Sequence, residues 1–434
     1  MNISILTLFP ELYQPFLQTS LLKRAQQKGL AKFTTHSLFD YTATKQRIDA
    51  PTFGHNSGML IKPEVIEAAV NDVEAQHGKS FKIMLSPQGK KIDQHYAKTL
   101  WNKISSQQHV VMLASRYEGI DARVEEHYAD EVISVGDFIT MGGDIPAMLL
   151  IECLFRFMPG IVGKKESVDL DSFSGAFVDH PEYTKPVEWK GLVVPEVLRS
   201  GNHEAIIKWR KEKAAEVTVK KHFGWLRSCY LSKDERQLAE KYIPSHYAAL
   251  LHNEILLKEG RVGTTSVTSI DIHDIARSCM TYGLKNLFLV TELHDQQEIV
   301  QTILNFWREK DVGGAYNQAR HEAVKRVKLT SYLDEVIADI KQKEGKKPII
   351  IGTSARIDHD SYTMLTYQQQ DIIWQQDRPV LFLFGTGHGM SEKVLKQCDY
   401  MLHPLFGFSD YNHLSVRSAA AIIFDKWLGF ALKE

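Results

Sequence analysis

The sequence predicts an α/β protein with two mainly parallel sheets joined by a small helical domain, and three observations predict it. Short continuous apolar runs, Val110 to Ala114 first among them, have the pattern of strands buried on both faces. These runs alternate with helical segments in βαβα order, which implies parallel pairing with crossover helices. The block from Val110 to Phe157 also returns 270 positions on, where Gly389 stands for Gly119 and, with one residue slipped, Ser415 for Pro146. Preserved order through strand, loop, helix, second strand and closing helix makes this two copies of one architecture.

Taken in order, Asn2 to Leu8 reads as the first strand, and Phe9-Pro10-Glu11 turns it into a helix stopped near Lys28-Gly29. Phe33 to Leu38 is a second strand. Asp40 to Gly58 is a loop of about twenty residues, long enough to suspect function. Pro63 to Ala75 and Ile92 to Ile104 are helices around a strand, Phe81 to Leu85, that ends in Ser86-Pro87-Gln88-Gly89. Val110 to Ala114 empties into Arg116-Tyr117-Glu118-Gly119, and Val132 to Val135 into a loop whose Gly136, Gly142 and Gly143 let backbone approach a ligand. Ligands of open α/β sheets bind at such carboxyl edges.

Beyond Phe157 the pattern breaks, and Gly163 to Ala176, with Asp169 and Asp171, reads as a linker or mobile loop. From Pro195 the chain is helical, with Ile206 to Val219 as the main helix after a capping Asn202. Seven cations, Lys208, Arg210, Lys211, Lys213, Lys220, Lys221 and Arg227, are interleaved there with Trp209, Phe223 and Trp225. Such a patch suits phosphate and unpaired bases, and a solvated helix face equally. Tyr247 to Ile255 leads into the second copy: helices at Ile270 to Thr281, Gln296 to Arg308, Leu333 to Gln342 and Ser391 to Cys398, strands at Asn286 to Thr291, Pro348 to Ile351, Val380 to Phe384 and Asp399 to His403, and a closing helix at Ser415 to Trp427. Gly385-Thr-Gly-His-Gly389 is neither GxGxxG nor GxxxxGK[ST] and ends its domain, which discounts dinucleotide and P-loop readings.

The chain of 434 residues allows about three domains. A hydrophobic content of 44% with 24% charged is that of a globular protein, and the net charge of −1 requires any polyanion to be met by local patches. Cys153, Cys229, Cys279 and Cys398 stand singly, which favours a reducing compartment and argues against structural zinc. No apolar run approaches ~18 residues and Met1 to Leu8 lacks a basic leader, so the expectation is a cytoplasmic protein without a membrane partner.

Residues 1 to about 250 resemble the TrmD family, bacterial tRNA (guanine-N(1))-methyltransferases, at Leu8-Phe-Pro-Glu11, Leu85-Ser-Pro-Gln-Gly89, Arg116-Tyr-Glu-Gly-Ile-Asp121, Ser134-Val-Gly-Asp137 with Gly142-Gly-Asp-Ile-Pro-Ala147, and Ser200-Gly-Asn-His203. The resemblance implies a SPOUT fold with a deep trefoil knot, S-adenosyl-L-methionine as methyl donor with Mg2+ left open as a further requirement, tRNA as partner and a homodimer. It implies a donor site at Leu85, Ser86 and Pro87, at Ser115, Tyr117 and Glu118, and at Val135, Gly136, Asp137, Phe138, Ile139, Thr140, Gly142, Gly143 and Pro146. Arg156 and Asp171 take the catalytic positions: Asp171 removes the ring proton that keeps guanine N1 a poor nucleophile, and Arg156 stabilises the charge pushed onto the carbonyl oxygen. No metal ligand is expected. Two departures, Gly54-His55-Asn56-Ser57-Gly58 and Met141, keep a non-catalytic tRNA-binding protein with a degenerate donor site as the alternative.

Residues from about 256 look like a second SPOUT-type RNA methyltransferase, with Arg277, Thr353, Gly385, Gly387, Gly389, Asn412, Ser415 and Arg417 as candidates. No base comparable to Asp171 can be placed there, so a ribose hydroxyl deprotonated with help from Arg277 is the expected target, with an RNA-docking role beside it. The expected division is two trefoil-knotted parallel-sheet domains, 1–160 and 251–434, with 161–176 as the linker bearing the catalytic aspartate and 177–250 as the helical tRNA-binding domain. RNA contact is expected of Lys208, Arg210, Lys211, Lys220, Lys221 and Arg227.

Overall fold

A computed structural model describes the chain except residues 45, 55–57, 163–170, 310–312, 357–360 and 431–434, and the side chain of residue 259. The expectations for His55, Asn56 and Asp169, and residues 163–170 of the 161–176 linker, therefore lie outside the described residues. The chain divides into two compact units, Met1–Gly175 and Ala176–Glu434.

In the first unit β1 (Asn2–Thr7), β2 (Lys32–Ser37), β5 (Phe81–Lys91), β6 (His109–Leu113) and β7 (Glu131–Ser134) form one sheet in the order β2-β1-β6-β5-β7. Every pairing in it is parallel. β6 lies in the middle with all five residues buried, as a strand covered on both faces must be. Alternation sorts its neighbours. Ile3 and Ile5 pack with Leu100, Leu150 and Leu154 of the helices Gln94–Ile104 and Asp144–Phe155 on one face. Leu6 and Val111 pack with Val65, Ile66 and Val70 of the helix Pro63–His77 on the other.

Two local expectations change. The single helix expected to reach Lys28 is a 3-10 turn and two helices, Tyr13–Leu17 and Ser20–Gln27, because Thr19 turns extended and its hydroxyl bonds back to Phe16 at 2.6 Å. The long loop after β2 contains a small antiparallel hairpin of β3 (Asp49–Pro51) and β4 (Met59–Ile61). β5 also runs past its expected end. After Leu85 pairs with Ile133, residues 86–89 loop out and Lys90 rejoins at the same Ile133. Pro87 has no donor for a ladder, and a Cβ on Gly89 would stand 2.5 Å from the Val132 carbonyl carbon. The loop is thereby held against β7 at the sheet's carboxyl edge.

The second unit opens with a hairpin, β8 (Glu188–Trp189) and β9 (Leu192–Val193), and the helices His203–Lys221 and Lys233–Glu240. Its main sheet comprises β10 (His246–Leu251), β13 (Leu287–Val290), β14 (Val327–Thr330), β15 (Ile349–Gly352), β16 (Met364–Leu365), β17 (Val380–Gly385) and β18 (Tyr400–Leu402), while β11 (Ile255–Leu256) and β12 (Val262–Gly263) pair separately. The order β14-β13-β10-β17-β15-β18-β16 contains β13-β10-β17-β15-β18, which is the first unit's β2-β1-β6-β5-β7 with each strand at the same place in chain order. The repeat read from the sequence is thus a repeat of topology, with one strand added at each edge.

The segment read only as a lead-in, His246-Tyr-Ala-Ala-Leu-Leu251, is a wholly buried central strand. Alanines give no local strand signal, and burial between β13 and β17 overrides that. β14, β16 and the helix Gln318–Val324 were likewise not foreseen. Val219, Phe223 and Leu226 belong to the same apolar cluster as Phe382, Trp374 and Trp427, with Phe223 edge-on to Trp374 at 4.4 Å. Among the described residues no helix is long and apolar enough to cross a membrane.

Candidate functional site

At the first unit's carboxyl edge three loops are stitched together by backbone hydrogen bonds. Glu118 N–H donates to the Met59 carbonyl at 3.1 Å and Ile61 N–H to Gly119 at 3.1 Å, so the loop after β6 is fastened to the hairpin. Gly143 N–H donates to the Ser115 carbonyl at 2.7 Å, which fastens the loop after β7 to the same segment. Glycine is required at two of these approaches. A Cβ on Gly58, itself at φ +120°, would lie 2.3 Å from Glu118 Cγ, and one on Gly143 would lie 2.7 Å from the Ser115 nitrogen.

Beneath the loops is a hub that the sequence did not single out. Asp144, fully buried, accepts from Thr7 Oγ1 at 2.5 Å, Tyr13 Oη at 3.1 Å and Arg116 Nε at 2.7 Å. The Arg116 guanidinium also lies 4.7 Å from the Phe9 ring centroid. Burial and the adjacent Asp144 carboxylate push the Tyr13 hydroxyl above its ordinary value, keeping it a neutral donor. Arg116 and Asp144 belong to two of the quoted motifs and Thr7 and Tyr13 flank a third, and what joins them is this one buried charge. Its signal was an aspartate opening an otherwise apolar helix.

The expected donor-site residues gather at this edge. Leu85 is buried; Ser86 Oγ accepts from Gln88 N–H at 3.2 Å within the looped-out segment that holds Pro87. Tyr117 takes a left-handed φ of 59° and is exposed, as is Glu118. In the loop Val135 to Gly143, Thr140 Oγ1 donates to the Gly142 carbonyl at 2.8 Å and Lys91 pairs with Asp137 at 2.5 Å, while Gly136 lies under the Phe138 ring. Pro146 is buried in the first turn of the helix, where no backbone donor is needed. Phe138, Ile139 and Met141 are exposed, and with Ile145 and Leu149 they form an uncovered apolar stripe. At the end of the same helix Arg156 hydrogen-bonds Asp171 directly, both side chains half open to solvent.

The second unit has a cavity of about 500 Å3 at the corresponding edge. Thr353, Gly385, Gly387, Gly389, Asn412, Ser415 and Arg417 all line it, with His388 and His413. Thr353 Oγ1 bonds the Leu383 carbonyl at 2.8 Å, Asn412 Nδ2 the Ala355 carbonyl at 3.1 Å, and Ser415 caps the closing helix Val416–Leu428. Gly387 at φ +54° would otherwise press on Ile255. Arg277 is elsewhere: it lies exposed along the helix Ser269–Thr281, 4.0 Å from Asp274, and the cavity's described lining does not include it. Asp271, from the start of that helix, does line the cavity and pairs with Arg417.

The basic helix is heterogeneous. Lys208, Arg210, Lys211 and Lys221 are exposed, and Lys208 and Lys211 line a groove of about 730 Å3 shared with Glu204, Glu212 and Asp234. Lys213 and Lys220 clasp Glu216 at 2.7 and 2.8 Å. Arg227 instead donates to the Asp425, Lys426 and Gly429 carbonyls, capping the closing helix, and Phe223 is core. No group of three or more His, Cys, Asp or Glu side chains suited to a metal occurs among the described residues.

Against known proteins, residues 1–227 match the family described as "tRNA (Guanine-1)-methyltransferase TrmD", and residues 245–429 match "SAM-dependent RNA methyltransferase". A Nitratidesulfovibrio vulgaris protein named tRNA (guanine-N(1)-)-methyltransferase is 37% identical over 435 residues, covering 99% of each chain. One of the same name from Oleidesulfovibrio alaskensis is 34% identical over all of both chains. A Geobacter metallireducens protein with that name is 37% identical over 239 residues, which is 55% of this chain and 96% of that one. Both kinds of relative occur, with the second unit and without it.

Proposed function

The chain belongs to the TrmD family of tRNA (guanine-1)-methyltransferases, and on that premise we propose that its first unit transfers a methyl group to N1 of the guanosine 3′ of the anticodon in tRNA. The observation that carries the reading is the Arg156–Asp171 pair at the end of the closing helix, in the unit whose carboxyl edge is built of the family's motif loops. S-adenosyl-L-methionine supplies an electrophilic methyl on a sulfonium. Leu85 to Pro87, Ser115 to Glu118 and Val135 to Gly143 would hold it, and loops fixed by backbone bonds suit an adenosine ligand that needs both polar edges and apolar walls. In this reading Asp171 takes the proton from guanine N1, and the Arg156 guanidinium offsets the charge left on the carbonyl oxygen. Arg156 and Asp171 hold each other, so guanine entry exchanges one partner of the pair for substrate.

Several finer assignments belong to the same reading. The loop after β7 passes against the loop after β6, as a trefoil-knotted SPOUT fold would require. The uncovered stripe Met141, Ile145 and Leu149 suits a homodimer, in which Asp171 could serve the partner's site. Residues 1–160 act as the first methyltransferase domain and 161–176 carry the base. Residues 177–250 meet tRNA phosphate through Lys208, Arg210, Lys211 and Lys221, and 251–434 form a second donor-binding methyltransferase domain whose 500 Å3 cavity is within the usual range for a cofactor.

The test combines purified protein, labelled donor and a tRNA transcript carrying guanosine 3′ of the anticodon, with mapping of the product nucleoside. Wild type should yield N1-methylguanosine, and Asp171→Ala should lose about 10²- to 10⁴-fold in rate with donor binding retained. Equal rates for the two proteins sink the assignment of the base. No heat on titrating the donor would return the chain to a binding-only role.

A further inference from the structure

We propose that the second unit carries its own general base, Asp271, with Arg417 as its partner, and that it methylates an imide-type ring nitrogen of an unpaired RNA base rather than a ribose hydroxyl. This rests on the reading of the 245–429 segment as a donor-binding RNA methyltransferase.

Asp271 is the one carboxylate among the described residues lining the 500 Å3 cavity. It is 8% exposed, so what remains accessible of it faces that space. Its Oδ2 is anchored by Thr268 Oγ1 at 2.6 Å, in the first turn of the helix Ser269–Thr281. Its Oδ1 meets Arg417 at a longer 3.3 Å, which leaves that oxygen capacity for a further proton. Arg417 comes from the first turn of the helix Val416–Leu428, which packs beside the helix of Asp271, and its Nε reaches Asp274 at 3.7 Å. The pair therefore joins two neighbouring helices where both line the cavity.

The nature of the base selects the substrate. A carboxylate is too weak to deprotonate a ribose hydroxyl effectively, whereas the N–H between two carbonyl-like groups of guanine or uracil is far more acidic and leaves its charge on a ring oxygen that a guanidinium can meet. As the N–CH3 bond forms, the bond from that methyl to the donor sulfur breaks with its electron pair left on sulfur, and the ring proton passes to Asp271 Oδ1. The sum is a methylated neutral base, a thioether and a protonated carboxyl. At the mouth Arg356, 3.4 Å from His413 Nε2, supplies cationic and donor groups for a phosphate, and Tyr411, edge-on to His413 at 5.3 Å and 76% exposed, offers an open ring face for a base.

The experiment uses the full chain, with and without Asp171→Ala, donor titration by calorimetry, and total RNA from cells lacking this protein as methyl acceptor. Two donor sites per chain, and a second, base-methylated nucleoside that survives Asp171→Ala, are the expected results. Asp271→Asn should cut that second product at least 10²-fold while keeping two donor sites and the RNA affinity of the parent, and Asp271→Glu should restore part of it. One donor site alone would instead fail the reading of the second domain. With two sites present, a 2′-O-methylated product, no second product, or an unchanged yield from Asp271→Asn overturns the inference. An unchanged yield would make the pair a strut between two helices.

Discussion

The two units fasten the start of the closing helix in different ways. Each uses a carboxylate and an arginine, but the helix is tied to the loop after β6 in the first unit and to the first crossover helix in the second. In the first unit the acid, Asp144, opens the closing helix, is fully buried, and is met by Arg116, Thr7 and Tyr13. In the second the acid, Asp271, opens the first crossover helix, and Arg417 on the closing helix meets it with a bond 0.6 Å longer, 3.3 against 2.7 Å, beside a cavity. One topology thus hosts a saturated hub and an open pair. The difference teaches that an ion pair's position in a fold does not fix its role; the number of competing partners and the access of solvent do.

The sharpest way to break this comparison is stability. Asp144→Ala strands a largely buried guanidinium and two hydroxyls, and should cost about 3–5 kcal/mol in urea unfolding of the first unit. Asp271→Ala removes a pair whose arginine keeps solvent and Asp274, and should cost about 1 kcal/mol. Equal losses would mean the two links are structurally equivalent.

Acid provides a second, smaller contrast. Two histidines flank β10. His246 is enclosed, its Nδ1 on the Pro244 carbonyl at 2.6 Å and its Nε2 accepting from the Trp427 indole at 3.1 Å. His252 Nδ1 meets Thr265 at 3.1 Å, while its Nε2 has no hydrogen-bond partner among the described residues. Burial pulls both down to about 4 from 6.5. A folded value below the unfolded one means that protonation favours unfolding. The stabilisation is complete above pH 6.5 and is lost as pH falls toward 4, by about 3 kcal/mol for each fully desolvated ring. His36 and His109 of the first unit shift in the same direction, also by burial, so acid weakens both units. The central strand of the second is the more exposed to it. Thermal unfolding followed by tryptophan emission, which Trp374 and Trp427 make a report on the second unit, should show a plateau above pH 6.5 and a falling midpoint below; a flat profile defeats the argument.

How much of this was legible in sequence depended on whether the signal was local. Strands such as Val380 to Phe384 and helices such as Pro63 to His77 declare themselves by composition and period, and the loops at Gly119 and Gly389 by their glycines. β10 did not, because His246-Tyr-Ala-Ala is made a strand by neighbours about forty and a hundred and thirty residues away. The Arg277 candidate shows the opposite failure: it belongs to a helix that does reach the cavity, but stands six residues past Asp271, the one that lines it, and so on another face. Asp271 lies on the same helix as Arg277, and helical phase alone, without a known cavity, could not choose between them. Arg227 likewise counted as one cation among seven until its three carbonyl partners came from residues 425–429.

The last test sharpens the comparison at the basic helix. Arg227 caps a helix end, Lys213 and Lys220 serve Glu216, and Lys208, Arg210, Lys211 and Lys221 remain exposed. Each lysine that touches a phosphate adds nearly one unit to the slope of log affinity against log salt, through release of a condensed counterion. Lys208→Gln with Lys211→Gln should therefore lower the tRNA slope by about two units, while Lys213→Gln leaves it unchanged within error and Arg227→Gln acts through stability alone. Binding measured by filter retention between 50 and 200 mM salt, roughly the range over which the effect is largest, resolves a change of that size. If Lys213→Gln flattened the slope as much as the exposed pair, the clasp around Glu216 would have to open on RNA, and the distinction drawn among these cations would fall.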